Sequence, residues 1–141
     1  MWQTAYTVDT DLAPEAIWGA LRALQTGAVQ LRSGDRRELN GPFAMHGTIS
    51  VTPVGLDTLQ STITELVVNQ VLAEQTSFNG LVLLLRHTLR PLSGGGTHIT
   101  RQLEISGDNA DQEGPIVGPR ISEDYPAALD ELVASARTRD S

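Results

Sequence analysis

A histidine and an arginine stand among aliphatic residues in the stretch LVLLLRHTLRPLSGGGTHITRQLEI, which occupies residues 81 to 105. Two apolar runs joined by glycines predict a long β-hairpin. Because strand side chains alternate between two faces, the pattern places His87 and Arg101 on the same inward face as the aliphatic residues. An imidazole could move protons near neutral pH, while a guanidinium could hold a carbonyl or enolate oxygen.

The loop length decides how these two side chains meet. A five-residue loop from Leu92 to Gly96 makes His87 and Arg101 direct partners, whereas a three-residue loop leaves them diagonal to each other. A buried arginine is costly unless it has an acceptor, water or an opening, and a ligand cavity supplies the last two. In the structural alternative, Arg101 reaches solvent at a sheet margin and His87 donates to a backbone carbonyl.

Further candidates for a ligand site follow from the same alternation. Glu65 shares the parity of its aliphatic neighbours, so it could point inward and pair with Arg101. Gln75 and Tyr125 could line a cavity, the latter from a helix. The aliphatic residues expected to line a cavity between the sheet and the last helix are Leu83, Leu85, Leu89, Ile99, Leu103, Leu129 and Val133.

The histidines do not indicate a metal site. His46, His87 and His98 share no local spacing and no motif glutamate, and the chain has no cysteine, so we expect neither a metal nor another cofactor. His46 alternates against apolar neighbours and is expected at the surface. The three glycines at 94–96 lack the strand, loop and helix context of a phosphate site and are assigned to the hairpin loop.

Composition limits the class of protein. A chain of 141 residues predicts one domain over 1–141. The net charge of −7, ten scattered arginines and 4% aromatic residues disfavour nucleic acid and anionic membrane surfaces as partners. No apolar run approaches the roughly 20 residues that span a bilayer, so no membrane insertion is expected. The polar start after Met1 predicts no signal peptide, and we expect a cytoplasmic protein.

The elements that must position the candidates begin with a strand in residues 2 to 12. A helix follows, for which Asp11 is the expected cap, Pro14 fits the first turn and Glu15 favours the helix start. We expect one or two short helices here. Strands are then predicted at about 35–39, 43–52, 58–68, 70–78, 81–91 and 97–107.

Two Asn-Gly dipeptides, at 40–41 and 79–80, predict tight hairpin turns within this antiparallel meander. After it, helical spacing of apolar residues predicts a long helix over roughly 113–137, with Pro119 and Pro126 expected to break or kink its early part. The fold class is therefore α+β: a seven-stranded antiparallel sheet wrapped around a long C-terminal helix.

This order resembles the helix-grip fold of the START-like (SRPBCC) superfamily, which includes plant pathogenesis-related proteins and polyketide cyclase/dehydrases. The stretches that carry the resemblance are LAPEAIW, RHTLRPLSGGGTHITRQLEISG and GPIVGPRISEDYPAALDELVASA. The resemblance implies a curved sheet that grips the helix incompletely and leaves an apolar cavity for a hydrophobic ligand. Aromatic-polyketide cyclases of the superfamily carry a Trp- and Arg-rich strand in mid-chain, whereas STITELVVNQVLAEQTSF has neither residue.

The function implied by the resemblance is binding of a hydrophobic small molecule, lipid- or polyketide-like, in that cavity. A first alternative is a polyketide cyclase/dehydratase-type enzyme, in which Arg101 would hold an oxygen while His87 moves protons. A second is a protein-interaction module that uses the outer face of the sheet, where Val82 and Leu84 break the polar pattern. A homodimer is left open.

Overall fold

A computed structural model describes residues 1–140 of the chain. Its elements in chain order are β1 (Trp2–Thr10), α1 (Pro14–Gln25), β2 (Arg36–Asn40), β3 (Thr48–Thr52), β4 (Leu59–Val67), β5 (Val71–Phe78), β6 (Leu81–Pro91), β7 (Thr97–Ser106), α2 (Ala110–Ser122) and α3 (Tyr125–Asp140). The strands form one sheet in the order β1-β7-β6-β5-β4-β3-β2, with every pair antiparallel. The predicted α+β class and seven-stranded antiparallel sheet are confirmed.

The first helix begins as expected, but its cap differs. Pro14 and Glu15 occupy the first turn of α1, where a missing N–H and a negative charge are both tolerated. Ala13 is the cap residue, and no side chain bonds to the free N–H groups there. Asp11, predicted to cap the helix, instead pairs with Arg137, with 2.8 Å between the carboxylate and guanidinium. The cap prediction is therefore wrong.

The C-terminal helix is long and bent. α2 ends at Ser122 and α3 begins at Tyr125, so the helical axis changes direction at Glu123 and Asp124. Pro126 follows this break and has no N–H to continue a helix from α2, which explains the predicted interruption there. Pro119, which was also expected to break or kink the helix, lies inside α2, and the helix continues through it. The helical region begins earlier than predicted, at residue 110, and ends later.

Two glycines let α2 lie against the start of the sheet. A Cβ atom placed on Gly118 would overlap the indole ring of Trp2, and one on Gly114 would lie 2.7 Å from the Trp2 Cβ. The absence of side chains at these two positions brings the helix into contact with β1. This contact holds α2, and with it the bend before α3, over one end of the sheet.

The β2–β3 connection is longer than predicted. The strand expected at 43–52 begins only at Thr48, and residues 41 to 47 form a loop in which His46 has a φ of 69°. Asn40 pairs with Thr48 across this loop, so Asn40-Gly41 does not form a tight turn. A physical reason is that Phe43 packs edge-on against Trp18 of α1, with ring centroids 6.4 Å apart. His46 is exposed.

The second Asn-Gly dipeptide does form the predicted turn. Phe78 pairs with Leu81, and the two residues between them, Asn79 and Gly80, have φ angles of 51° and 75°. Positive φ at both central residues is the geometry for which Asn-Gly is favoured in hairpins.

The apolar core has two parts on the inner face of the sheet, the face covered by the helices. The larger part joins α1 and α3 to the sheet and contains Ile17, Leu21, Ile49, Ile63, Leu72, Leu89, Ile99, Leu129 and Leu132 among others. The smaller part lies beneath α2 and contains Leu81, Leu103, Ile105, Ala110 and Tyr125. Within residues 1–140, no helix is long and apolar enough to cross a membrane.

Candidate functional site

The β6–β7 hairpin has the five-residue register. Leu92 to Gly96 connect the strands, Pro91 pairs with Thr97, and His87 pairs directly with Arg101. Both side chains lie on the inner face. His87 is 2% exposed, Arg101 is half-buried, and the Arg101 Nη1 lies 2.9 Å from the His87 Nε2. The sequence-based placement of this pair is confirmed.

The contact with Arg101 determines the chemical state of His87. A guanidinium has only donors, so the Nε2 of His87 must accept and its Nδ1 must carry the proton. Burial, together with the positive charges of Arg101 and Arg37, lowers the pKa of His87 well below its ordinary value of 6.5. At neutral pH, His87 is therefore an uncharged acceptor whose lone pair is already occupied.

The side chains that Arg101 contacts directly are uncharged. Its guanidinium carbon is 4.4 Å from the centroid of the Tyr125 ring, a cation–π distance. Its Nε is buried and has no hydrogen-bond partner among the side chains described, those of residues 1–139, and no carboxylate among them forms an ion pair with Arg101. Burial lowers the pKa of Arg101, although a guanidinium remains protonated in proteins. The result is a positive charge without a neutralising contact.

Tyr125 reaches this charge from the helix side. It is the first residue of α3, directly after the bend, and is 2% exposed. Burial raises the pKa of its phenol, and the nearby Arg101 opposes that rise. The phenol is therefore neutral at physiological pH. Because Tyr125 directly follows the bend of the C-terminal helix, the bend places its ring over the Arg101 guanidinium.

A second polar pair on the inner face was not predicted from the sequence. Arg37 of β2 forms an ion pair with Glu74 of β5, with only 9% and 6% of their side chains exposed. The Nε of Arg37 donates to the backbone oxygen of Gln25 at 2.8 Å. Glu74 Oε2 is buried and has no partner in the described chain. The sequence signal that could have revealed this pair is strand alternation. Arg37 is two residues from Leu39, and Glu74 is two residues from Leu72, so each charged residue shares a face with a leucine.

Glu65 and Gln75 lie on the opposite face, and their predicted inward placement is wrong. The ladder between β4 and β5 shifts between Ile63 and Glu65, and such a bulge turns the following residues over. Glu65 therefore pairs with Arg86, with 2.8 Å between its Oε1 and the arginine Nε, and not with Arg101. Gln75 is exposed because its neighbour Glu74 takes the inward position.

A cleft of about 720 Å³ opens between the inner face and the bend of the C-terminal helix. Its polar lining contains Arg37, Glu74, Arg101 and Tyr125, and further charged residues also line it: Asp35, Asp57, Arg120, Glu123 and Asp124. Its apolar wall contains Val51, Phe78, Leu83, Leu85, Leu103 and Ile121. This volume is within the range of small-molecule sites, which combine apolar lining with a few polar groups.

A second cleft, of about 340 Å³, lies between α1, the residues at 31–35 and α3. It also reaches Arg37, His87 and Arg101. The two arginines therefore line both clefts, one of which is mainly apolar and the other more polar.

The aliphatic residues predicted to line the cavity divide into three groups. Leu83, Leu85 and Leu103 line the larger cleft. Leu89, Ile99 and Leu129 are packed in the core and line neither cleft, because α1 fills that end of the sheet. Val133 packs at the edge of the core and lines a surface groove beside β1.

The histidines are far from forming a metal centre. His46 lies in an exposed loop, His87 contacts Arg101, and His98 pairs with Asp9 on the outer face. Among the side chains that the structure describes, in residues 1–139, no three from His, Cys, Asp and Glu are grouped closely enough to hold a metal ion.

No protein-family model matches the chain, and no curated protein matches it in sequence. Solved structures do match. The Zhui aromatase/cyclase from Streptomyces sp. R1128 superposes with a TM-score of 0.76 at 13% identity, over 99% of this chain and 95% of that one. Norcoclaurine synthase from Thalictrum flavum gives 0.74 at 13% identity, over 99% and 96%. Protein MLL2253 from Mesorhizobium loti gives 0.71 at 17% identity, over 96% and 97%.

These similarities define the fold of the chain. At such low sequence identities the similarities do not show which residues have a function. They do extend over nearly the whole length of this chain and of each matched structure. The chain has a helix-grip fold, as the sequence resemblance predicted.

Proposed function

We propose that the protein binds a hydrophobic small molecule, lipid- or polyketide-like, in the larger cleft, and that Arg101 holds an oxygen of this ligand. The observation that carries the proposal is the charge of Arg101, which contacts neutral His87 and Tyr125 and has no carboxylate partner in the described residues. Keeping a buried cation without a counter-charge costs several kcal/mol. An anionic or carbonyl oxygen entering the cleft would offset that cost.

The apolar wall of the cleft supports the hydrophobic part of this ligand. Leu83, Leu85 and Leu103 present aliphatic side chains beside the arginine, and Phe78 and Ile121 extend the apolar surface. A flat or elongated apolar body could lie on this wall while its oxygen reaches Arg101. The fold supports the same function, since structural neighbours include an aromatase/cyclase and a norcoclaurine synthase.

Binding is favoured over the cyclase/dehydratase alternative because of the state of His87. A proton-transferring imidazole needs a free lone pair and a pKa near the working pH. The Nε2 of His87 is occupied by Arg101, and its pKa lies well below 6.5. We therefore assign His87 the role of orienting the guanidinium.

Native mass spectrometry of the purified protein tests the proposal. We expect an apolar, oxygen-bearing compound to copurify with the unmodified chain, to be depleted in Arg101→Leu and to be retained in Arg86→Leu. Arg86 is a suitable control because it lies on the outer face of the adjacent strand, where it pairs with Glu65. A chain that carries no small molecule and also fails to bind added 2-naphthoic acid would overturn the proposal.

A further inference from the structure

One carboxylate oxygen of Glu74 has no hydrogen-bond partner among the described side chains. Its Oε1 pairs with Arg37, whereas its Oε2 is buried without a hydrogen-bond partner in residues 1–140. A buried carboxylate oxygen left without a donor is destabilising, and buried polar groups are otherwise almost always paired. Because Glu74 lines the larger cleft, a donor on a ligand could satisfy this oxygen.

Glu74 and Arg101 face the same cleft from different strands. Leu85 of β6 pairs with Glu74 on one side and with Leu103 on the other, so β6 separates the strands that carry the two charged residues. Strands that are second neighbours lie about 10 Å apart. Because the strands that carry Glu74 and Arg101 are second neighbours with the leucines of β6 between them, we expect the two side chains to contact different parts of a ligand.

The charges around the cleft floor limit the charge of the ligand. Arg37 and Glu74 form an ion pair and His87 and Tyr125 are neutral, so Arg101 carries a positive charge that has no ion-pair partner in the described side chains. The cleft is also lined by further charged residues, namely Asp35, Asp57, Arg120, Glu123 and Asp124. A ligand with one negative charge could pair with Arg101. Because Glu74 already pairs with Arg37, which would repel a cationic donor at that position, the donor that reaches Glu74 is expected to be a neutral hydroxyl.

We propose that Glu74 is a second polar anchor of the cleft, and that the preferred ligand is an apolar monoanion carrying a hydroxyl group distant from its anionic oxygen. This inference rests on the proposed function, because it assumes that the anionic oxygen is held by Arg101. The Oε2 of Glu74 has almost no exposed surface, so the carboxylate must turn about its terminal torsion to meet the hydroxyl. That torsion has a broad energy minimum.

Three naphthalene probes separate the two anchors. Calorimetric titration would compare 2-naphthoic acid, 6-hydroxy-2-naphthoic acid and 6-methoxy-2-naphthoic acid, which differ only in the group opposite the carboxylate. We expect the hydroxy acid to bind about tenfold more tightly than the other two, because a hydrogen bond to a charged acceptor is gained. The methoxy acid has the added oxygen but no donor, so it controls for size.

Two double variants show whether Glu74 is the acceptor. In Arg37→Met/Glu74→Leu, the affinity ratio between hydroxy and methoxy acids should fall to about one. In Arg86→Met/Glu65→Leu, which removes an ion pair from the outer face, the ratio should stay that of the unmodified chain. If the inner double variant does not fold, Glu74→Gln serves in its place, since its amide still accepts from Arg37.

The outcomes distinguish this inference from the proposed function. Equal affinities for the three acids, with binding that is lost in Arg101→Leu, would overturn the role of Glu74 and leave the proposed function standing. A hydroxyl preference that persists without Glu74 would also overturn it. Failure of all three acids to bind the unmodified chain would overturn both.

Discussion

The Nη1 of Arg101 lies 2.9 Å from the Nε2 of His87 across two directly paired strands, and this contact joins a cation to a neutral acceptor. It fixes the tautomer of the histidine and points the guanidinium along the inner face. It does not supply a counter-charge. The pair is therefore built to orient a positive charge, and the neutralising group is expected from a ligand.

The pH dependence of stability should report the state of His87. Its pKa is 6.5 in the unfolded chain and well below that in the folded protein, so the unfolded state binds more protons in the window between the two values. Stability contributed by neutral His87 is therefore complete above about pH 6.5 and is lost as the pH falls through that window. Thermal melts would compare the unmodified chain with His87→Gln, whose side chain does not titrate. As the pH is lowered, the melting temperature of the variant should fall less steeply than that of the unmodified chain. Identical pH profiles would contradict the depressed pKa.

Removing both members of the pair should abolish binding without destabilising the fold. In His87→Leu/Arg101→Met, two polar groups are replaced by apolar ones of comparable size, and such exchanges of buried charge are often neutral or stabilising by about 1–4 kcal/mol. We expect a melting temperature at or above that of the unmodified chain, together with loss of 2-naphthoic acid binding. A clear fall in melting temperature would instead indicate a structural role for the pair.

The Arg37–Glu74 ion pair should show strong coupling. Glu74→Leu leaves Arg37 buried and unpaired, which is expected to lower the free energy of unfolding by about 3–5 kcal/mol, whereas Arg37→Met/Glu74→Leu should recover most of that loss. Glu65→Leu, which breaks a partly exposed pair on the outer face, should cost no more than about 1 kcal/mol. Urea denaturation measures all three, and additive effects of the inner substitutions would contradict the burial of the pair.

The contact between α2 and Trp2 predicts an unusual effect of alanine in a helix. Gly118→Ala places a methyl group into the Trp2 ring, which is expected to destabilise the protein by about 1–3 kcal/mol despite the better helix propensity of alanine. Gly94→Ala is the control, because a Cβ there meets no atom within 4 Å. Chemical denaturation gives both values. A stabilising effect of Gly118→Ala would show that α2 does not pack on Trp2.

The hairpin carrying His87 and Arg101 could be predicted because its geometry depends on residues that are close together in the sequence. The period of two assigned both residues to the inner face, and the loop between the strands limited the pairing to two registers. The Asn79-Gly80 turn followed from φ angles that few other dipeptides tolerate. The bend near Pro126 likewise followed from the missing N–H of proline.

The remaining parts of the site depend on long-range packing. A bulge after Ile63 reversed the orientation of Glu65, and nothing in the alternation of β4 marks that shift. Arg37 lies in a short strand, and it meets Glu74 only because β2 and β5 belong to the same curved sheet. Whether a leucine lines the cleft or fills the core depends on where α1 lies, as Leu85 and Leu89 demonstrate.

The most direct test of the proposed binding site is whether Arg101 recognises the charge of a ligand. Calorimetry would compare 2-naphthoic acid with the neutral 2-acetylnaphthalene in the unmodified chain, Arg101→Leu and Arg86→Leu. We expect the unmodified chain and Arg86→Leu to favour the carboxylate by about tenfold, and Arg101→Leu to lose this preference. A carboxylate preference that survives in Arg101→Leu would show that Arg101 does not hold the ligand's anionic oxygen.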